Sequence, residues 1–283
     1  MSLQNDQLLL FDVSTTQNTL PDAHLCPVEV CTEQFALADI GNSAKIKQTR
    51  FFIIPDEPIM PAAQIQMGKS SADISGEQLA EGLRRIYELL KPARFNGPCL
   101  LGYNLEYDIA SVCDNMKRLF SGKDENLVNF WEAVDAMDKI DVMLLAKKLI
   151  PASKVITYTM LNVVVYLYGL KALDQFNREG AKTGSVRDNY LCRLILAGLM
   201  KLGAKMYPER ADDFSTVQGL LKFLQEPVIV DVFPFGKYMN WKISDVYKKH
   251  PDYIAWLLKD TEGLKRSNPD VYYTLKTKYA EQS

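Results

Sequence analysis

The sequence has no apolar run approaching the ~18 residues that a membrane-spanning helix needs. Its longest apolar stretch, around Leu161 to Leu170, is interrupted by Asn162 and by tyrosines, so a core helix is expected there and membrane insertion is not. The start of the chain shows no basic segment followed by an apolar run and a cleavage site, so no secretory signal is expected. Histidine is nearly missing: only His24 and His250 occur, which leaves few imidazoles for catalysis or metal binding. Cysteine is sparse, odd in number and scattered, at positions 26, 31, 99, 113 and 192. That pattern gives no disulfide framework, and Cys26 and Cys31 lack the second pair that a zinc site would need; reduced core residues of a cytoplasmic protein are expected instead. No sign of charge dominates. The 33 basic and 35 acidic residues give a net charge of −2 and a pI near 5.8, without the electrostatic footprint of a non-specific nucleic-acid binder.

What the chain does contain is an ordinary globular complement, 47% hydrophobic and 24% charged, long enough for one large domain and a small one. Three stretches carry chemistry. Leu8-Leu9-Leu10-Phe11-Asp12-Val13-Ser14 is an apolar run closed by one carboxylate, which predicts a buried strand delivering Asp12 to its end. Pro98-Cys99-Leu100-Leu101-Gly102-Tyr103-Asn104-Leu105-Glu106-Tyr107-Asp108 is a second short strand, then a glycine-containing turn, then Asp108 at the start of a helix. Thr183-Gly184-Ser185-Val186-Arg187-Asp188 places Asp188 in the first turn of another. In α/β sheets ligands bind beyond the carboxyl ends of strands, and hard divalent cations take oxygen ligands from a few such carboxylates. Asp12, Asp108 and Asp188 are therefore the candidate metal ligands. For Asp188 the helix dipole is a sufficient structural alternative.

The order and context of these motifs resemble the DEDD superfamily of 3′–5′ exonucleases, most closely its exodeoxyribonuclease X-like branch. Pro27-Val28-Glu29-Val30 is similar to the family's second strand and Phe51-Phe52-Ile53-Ile54-Pro55 to its third, and the likeness runs over roughly residues 7 to 203. A second likeness follows. Phe235-Gly236-Lys237-Tyr238, Ile243-Ser244-Asp245-Val246 and Pro251-Asp252-Tyr253-Ile254-Ala255-Trp256-Leu257 resemble the small C-terminal domain of the same branch, with Asn240 where relatives have glycine. The resemblance implies an α/β fold, a ribonuclease H-like mixed sheet flanked by helices, with a small C-terminal α+β module. It implies domains at 1–205 and 206–283.

The departures from the family pattern fall on the reactive positions. Active members carry Asp-x-Glu in the first motif, and here the second position is Ser14. The family's proton acceptor, five or four residues before the last Asp, is replaced by Thr183 and Gly184. Two-metal hydrolysis depends on carboxylates to hold the ions, and a placed general base is worth roughly 10²–10⁴ in rate. The expectation is thus a catalytically degenerate protein, a structural or adaptor subunit whose partners are other proteins, with no cofactor. One alternative is an active metal-dependent 3′–5′ DNA exonuclease using magnesium or manganese. The other is a non-catalytic nucleic-acid-binding module, for which Asn104, Lys69, Lys237, Tyr238 and Trp241 are the candidate contacts; for the aromatics the competing reading is the core of a very small domain.

Local patterns complete the expectation. Strands are predicted near residues 26–35, 50–54, 129–136 and 228–232. Pro58 and Pro61 predict an extended loop. Ser75 with Gln78 predicts a capping box. Helices are predicted over 106–119, 139–149, 185–202, 215–224 and 270–280.

Overall fold

The computed structural model describes residues 6–17, 25–94, 97–171, 184–259 and 261–279. Its centre is a six-stranded mixed sheet in the order β4-β3-β2-β1-β5-β6, with β1 Gln7–Thr15, β2 Pro27–Ala36, β3 Lys47–Ile54, β4 Glu77–Gln78, β5 Cys99–Gly102 and β6 Lys139–Asp141. β1 pairs antiparallel with β2 and parallel with β5.

Side chains alternate across a strand, and β1 uses both faces for burial. Leu8 and Leu10 enter a cluster with Leu145 and Leu149 of α6 (Val142–Leu149), Val163 and Val164 of α7 (Met160–Tyr168), and Leu191, Ile195 and Leu199 of α8 (Gly184–Met206). Leu9, Phe11 and Val13 enter the opposite cluster with Leu83 and Ile86 of α2 (Leu79–Leu90) and Val112 and Met116 of α3 (Leu105–Phe120). Burying a leucine fully, as at Leu8 and Leu10, is worth roughly 1.5–3 kcal/mol. The same alternation puts Asp12 and Ser14 on the α8 side of the sheet.

Several local expectations are corrected. The segment expected as a strand over 129–136 is helix α5, Phe130–Asp135, because Phe130, Ala133 and Val134 bury at helical spacing. The strand falls instead on Lys139–Asp141, paired with β5, inside the stretch expected to be all helix. Pro61 opens a helix, α1 Pro61–Met67, as its first residue, where a missing N–H costs nothing. The capping box forms at Ser70 and Asp73, not at Ser75 and Gln78, because Glu77 and Gln78 pair with Ile53 and Ile54. Residues 228–232 make only the isolated bridge Val232 to Lys242; the N–H groups of Val228 and Val230 go to Asp270 Oδ1 and Thr274 Oγ1, both at 2.9 Å.

Beyond residue 205, Phe214, Val217, Leu220, Leu221, Phe223 and Val228 still bury in the α8-side cluster of the sheet. A separate cluster begins at Phe233 and runs through Tyr238, Ile243, Val246, Ile254, Leu257, Leu264, Val271 and Leu275. Helices Ile243–Lys249, Pro251–Lys259, Thr261–Ser267 and Pro269–Tyr279 build it.

Candidate active site

Asp12 sits near the end of β1, partly exposed, with Asp108 buried on the first turns of α3 and Asp188, partly exposed, on α8. Burial raises the Asp12 carboxyl well above the usual 3.8, and the charges of Asp108, Asp188 and Glu29 raise it further. Burial likewise holds Asp108 well above 3.8, against a hydrogen bond from the Val13 N–H, with Asp188 and Asp141 adding to the rise. Asp188 is raised by burial and by Glu29, opposed by Arg187 and by a hydrogen bond from Gln66. The three acids picked out by position in the sequence are thus electrostatic neighbours.

On the Ser14 side of Asp12 a groove of about 220 Å³ is lined by Val13, Ser14, Thr15, Gln17, Ala63, Gln66, Met67, Asn104 and Tyr107; the three acids are not among its lining residues. The Tyr107 hydroxyl lies 3.2 Å from Thr15 Oγ1 and from the Gln17 carbonyl, bracing the wall. Asn104 takes a left-handed φ of 60°, a conformation that asparagine tolerates, and its N–H and that of Leu105 donate to Asp141 at 3.0 and 3.1 Å. Asp141 also caps α6 through Met143 N–H at 2.8 Å, so one carboxylate seats both the turn that presents Asn104 and the helix that carries Asp108.

Ser14 Oγ is buried and makes no hydrogen bond, and directly across the ladder from Ser14 stands Glu29. Glu29 is fully buried. It accepts from Arg50 Nε at 2.6 Å and from the Ser185 N–H at 3.3 Å. Gly184 has φ +63°, and a Cβ there would fall 1.9 Å from Glu29 Oε2. Of the two positions where the resembled family places its proton acceptor, Thr183 lies outside the described residues, and Gly184 faces this carboxylate. Glu29 was not singled out from the sequence. Its signal was two acids four apart in a buried strand, Glu29 and Glu33 with Cys31 between them on the same face, matched by Ser185, Asn189 and Arg193 four apart on α8.

The other candidates lie elsewhere. Lys69 rests over the Phe52 ring at 4.8 Å. Tyr238 is buried, 6% exposed, and Trp241 is 47% exposed; with Lys237 they belong to the C-terminal unit and are not among the groove's lining residues. His250 stacks on Tyr238. All five cysteines are free and buried, and burial pushes the Cys26, Cys31, Cys99 and Cys113 thiols up to about 12, as inert core thiols.

Among the described residues, no three His, Cys, Asp or Glu side chains close on a common point, and the position beside Asp12 offers a neutral hydroxyl that makes no hydrogen bond. The acids also compete for protons. A folded Asp108 retains a proton that the unfolded chain releases above about 3.8, so its contribution to stability falls as pH rises from there, by about 1.4 kcal/mol per pH unit until the folded group also ionises. Asp108→Asn, in the presence of a chelator, is therefore expected to be more stable than the parent at neutral pH and to lose part of the parent's decline. Urea titrations of both at several pH values between about 4.5 and 8 measure this; a parent that gains on the variant as pH rises contradicts it.

No family model matches the sequence, and no curated protein matches it. Among solved structures, a product-bound exonuclease I aligns with a TM-score of 0.50 and 17% identity over 74% of this chain and 47% of its own. E. coli exonuclease I with a dT13 oligonucleotide aligns at 0.50 and 17% over 81% and 47%, and an exonuclease I complex with SSB-Ct at 0.50 and 15% over 74% and 44%. This chain spans less than half the length of those neighbours. The likeness assigns the fold: a ribonuclease H-like mixed sheet with flanking helices, as in exonuclease I. No helix among the described residues is long and apolar enough to cross a membrane.

Proposed function

We propose that this chain is a catalytically silent protein of exonuclease architecture, acting in the cytoplasm as a structural or adaptor subunit of a larger assembly. The observation that carries the reading is the meeting of Glu29 with Gly184. A buried, hydrogen-bonded carboxylate stands where any side chain at 184 would begin, and Ser14 leaves the neighbouring ligand position neutral. Without a base and without one metal-holding acid, a rate loss of at least ~10²–10⁴ is expected. The same acids favour one other reading: the approach of Asp12, Asp108 and Asp188 supports a residual metal-dependent 3′–5′ exonuclease.

The two readings part in one experiment. The purified chain and its Asp12→Ala variant are incubated with end-labelled single-stranded DNA and magnesium or manganese. The silent reading expects no product from either, together with stable co-purification of other proteins with the tagged chain. Cleavage by the parent that vanishes in Asp12→Ala sinks it and establishes the exonuclease.

A further inference from the structure

The C-terminal unit holds aromatic side chains that its core does not use. Its loop is shaped by two left-handed residues, Gly236 at φ 72° and Asn240 at φ 67°, and closed by hydrogen bonds from the Phe233 N–H to the Trp241 carbonyl at 3.0 Å and from the Asn240 N–H to the Phe233 carbonyl at 2.7 Å. Tyr238, buried at the centre, stacks on His250 with centroids 4.8 Å apart and meets Tyr253 and Trp241 edge-on at 4.8 and 5.5 Å. Tyr253 in turn stacks on Trp256 at 5.6 Å. This chain of rings ends in solvent on both sides, with Trp241 47% and Trp256 62% exposed. On helix Pro251–Lys259 the core takes Ile254 and Leu257, so packing does not account for Trp256.

Charge selects the occupant. Residues 237–259 hold five lysines, at 237, 242, 248, 249 and 259, against Asp245 and Asp252, a local excess of three positive charges in a chain of net −2. Lys237 lies 5.2 Å from the Tyr238 ring centroid, Lys242 follows Trp241, and Lys259 is one helical turn beyond Trp256. Exposed ring faces interleaved with flexible cations are what a polyanion with stackable bases engages; stacking is worth ~1–3 kcal/mol per base and is indifferent to sequence.

We propose that this face binds single-stranded nucleic acid, with Trp241 and Trp256 as stacking platforms and the lysines as phosphate contacts, in a site separate from the Asp12 groove. Tyr238 supports the rings from beneath rather than touching the strand. The inference holds whether or not the groove cleaves.

The test uses the full chain in a chelating buffer, where cleavage plays no part, with fluorescently labelled oligothymidylate and oligouridylate of about twelve nucleotides. Anisotropy is expected to report binding that weakens as salt rises. Trp241→Ala or Trp256→Ala weakens it about tenfold and the double variant about a hundredfold, from the stacking range above, while Tm stays with the parent because both rings lie outside the core. Lys237→Gln with Lys242→Gln lowers the salt slope by about 1.4. Binding of either polymer supports the site, and the two arms tell DNA from RNA. No binding at low salt, or a double tryptophan variant that binds like the parent, overturns it. Self-association of the chain that the double variant abolishes overturns it too, by giving the face to a second copy.

Discussion

Arg193→Ala is expected to lower stability by about 3–5 kcal/mol, the range for removing one partner of a buried ion pair. Arg193 Nε lies 2.6 Å from Glu33 Oε2, with side chains only 7% and 3% exposed, and its Nη1 donates to the Ile40 carbonyl at 3.0 Å. Truncation leaves the buried Glu33 carboxylate with Gln48 Nε2, at 2.8 Å, as its remaining donor among the described residues. Lysine at 193 should recover little, because it cannot reproduce the planar fork that serves both acceptors. Replacing both partners with apolar residues of similar volume should cost far less than Arg193→Ala, since no charge is then stranded. Urea denaturation of the three variants measures all of this. A loss below about 1 kcal/mol for Arg193→Ala would mean that water relieves Glu33, contrary to its burial.

That ion pair is the far end of a polar seam between β2 and α8. Glu29, Cys31 and Glu33 share one face of the strand, and Ser185, Asn189 and Arg193 recur every four residues on the helix. Ser185 N–H meets Glu29 at 3.3 Å, Asn189 Nδ2 meets the Cys31 carbonyl at 3.2 Å, and Arg193 meets Glu33. Apolar side chains alone would let α8 slide along the sheet at little cost. The seam admits one register, and in that register Asp188 faces Asp12.

How much of this was legible in the sequence follows from how local each cause is. β1 was legible because four apolar residues with a closing acid need no distant partner to be read. Asp108 was legible as an acid in the first turn of α3, a purely local property; Asp188 was expected in a first turn too, but α8 starts at Gly184 and leaves it beyond that turn, and β1 runs three residues past Asp12 to Thr15. The seam was not, since its pairs are separated by 156 to 160 residues and only the fold juxtaposes them. Residues 130–135 misled because Phe, Trp and Val favour strands, yet the sheet edge was taken by the three residues of β6, whose strand character comes from pairing with Leu100, Leu101 and Gly102. Pro61 misled in the other direction: proline breaks a helix interior but suits its first residue. The run Val228–Val232 was expected as a strand, but the helix carrying Asp270 and Thr274 supplies the partners that a strand would have sought in a sheet.

Gly184→Ala is expected to destabilise the protein by about 2–5 kcal/mol, and for two separable reasons. A side chain at φ +63° costs about 1–2 kcal/mol in the left-handed region, and a Cβ placed 1.9 Å from Glu29 Oε2 forces a shift in a carboxylate held by Arg50 and Ser185, with an overpacking cost of about 1–3 kcal/mol. Glu29→Ala removes the collision but keeps the backbone strain, so Gly184→Ala made in that background should cost only the first part, about 1–2 kcal/mol. The double-mutant cycle thus reads the collision directly, by urea denaturation of four proteins. Gly184→Tyr, which restores to this position the residue type of the tyrosine subclass, should meet the same carboxylate and give neither a stable protein nor cleavage. If it instead folds with the parent's stability, or if the cycle shows no coupling, then Glu29 yields readily, the position remains open to a proton acceptor, and silence of the site would have to rest on Ser14 alone.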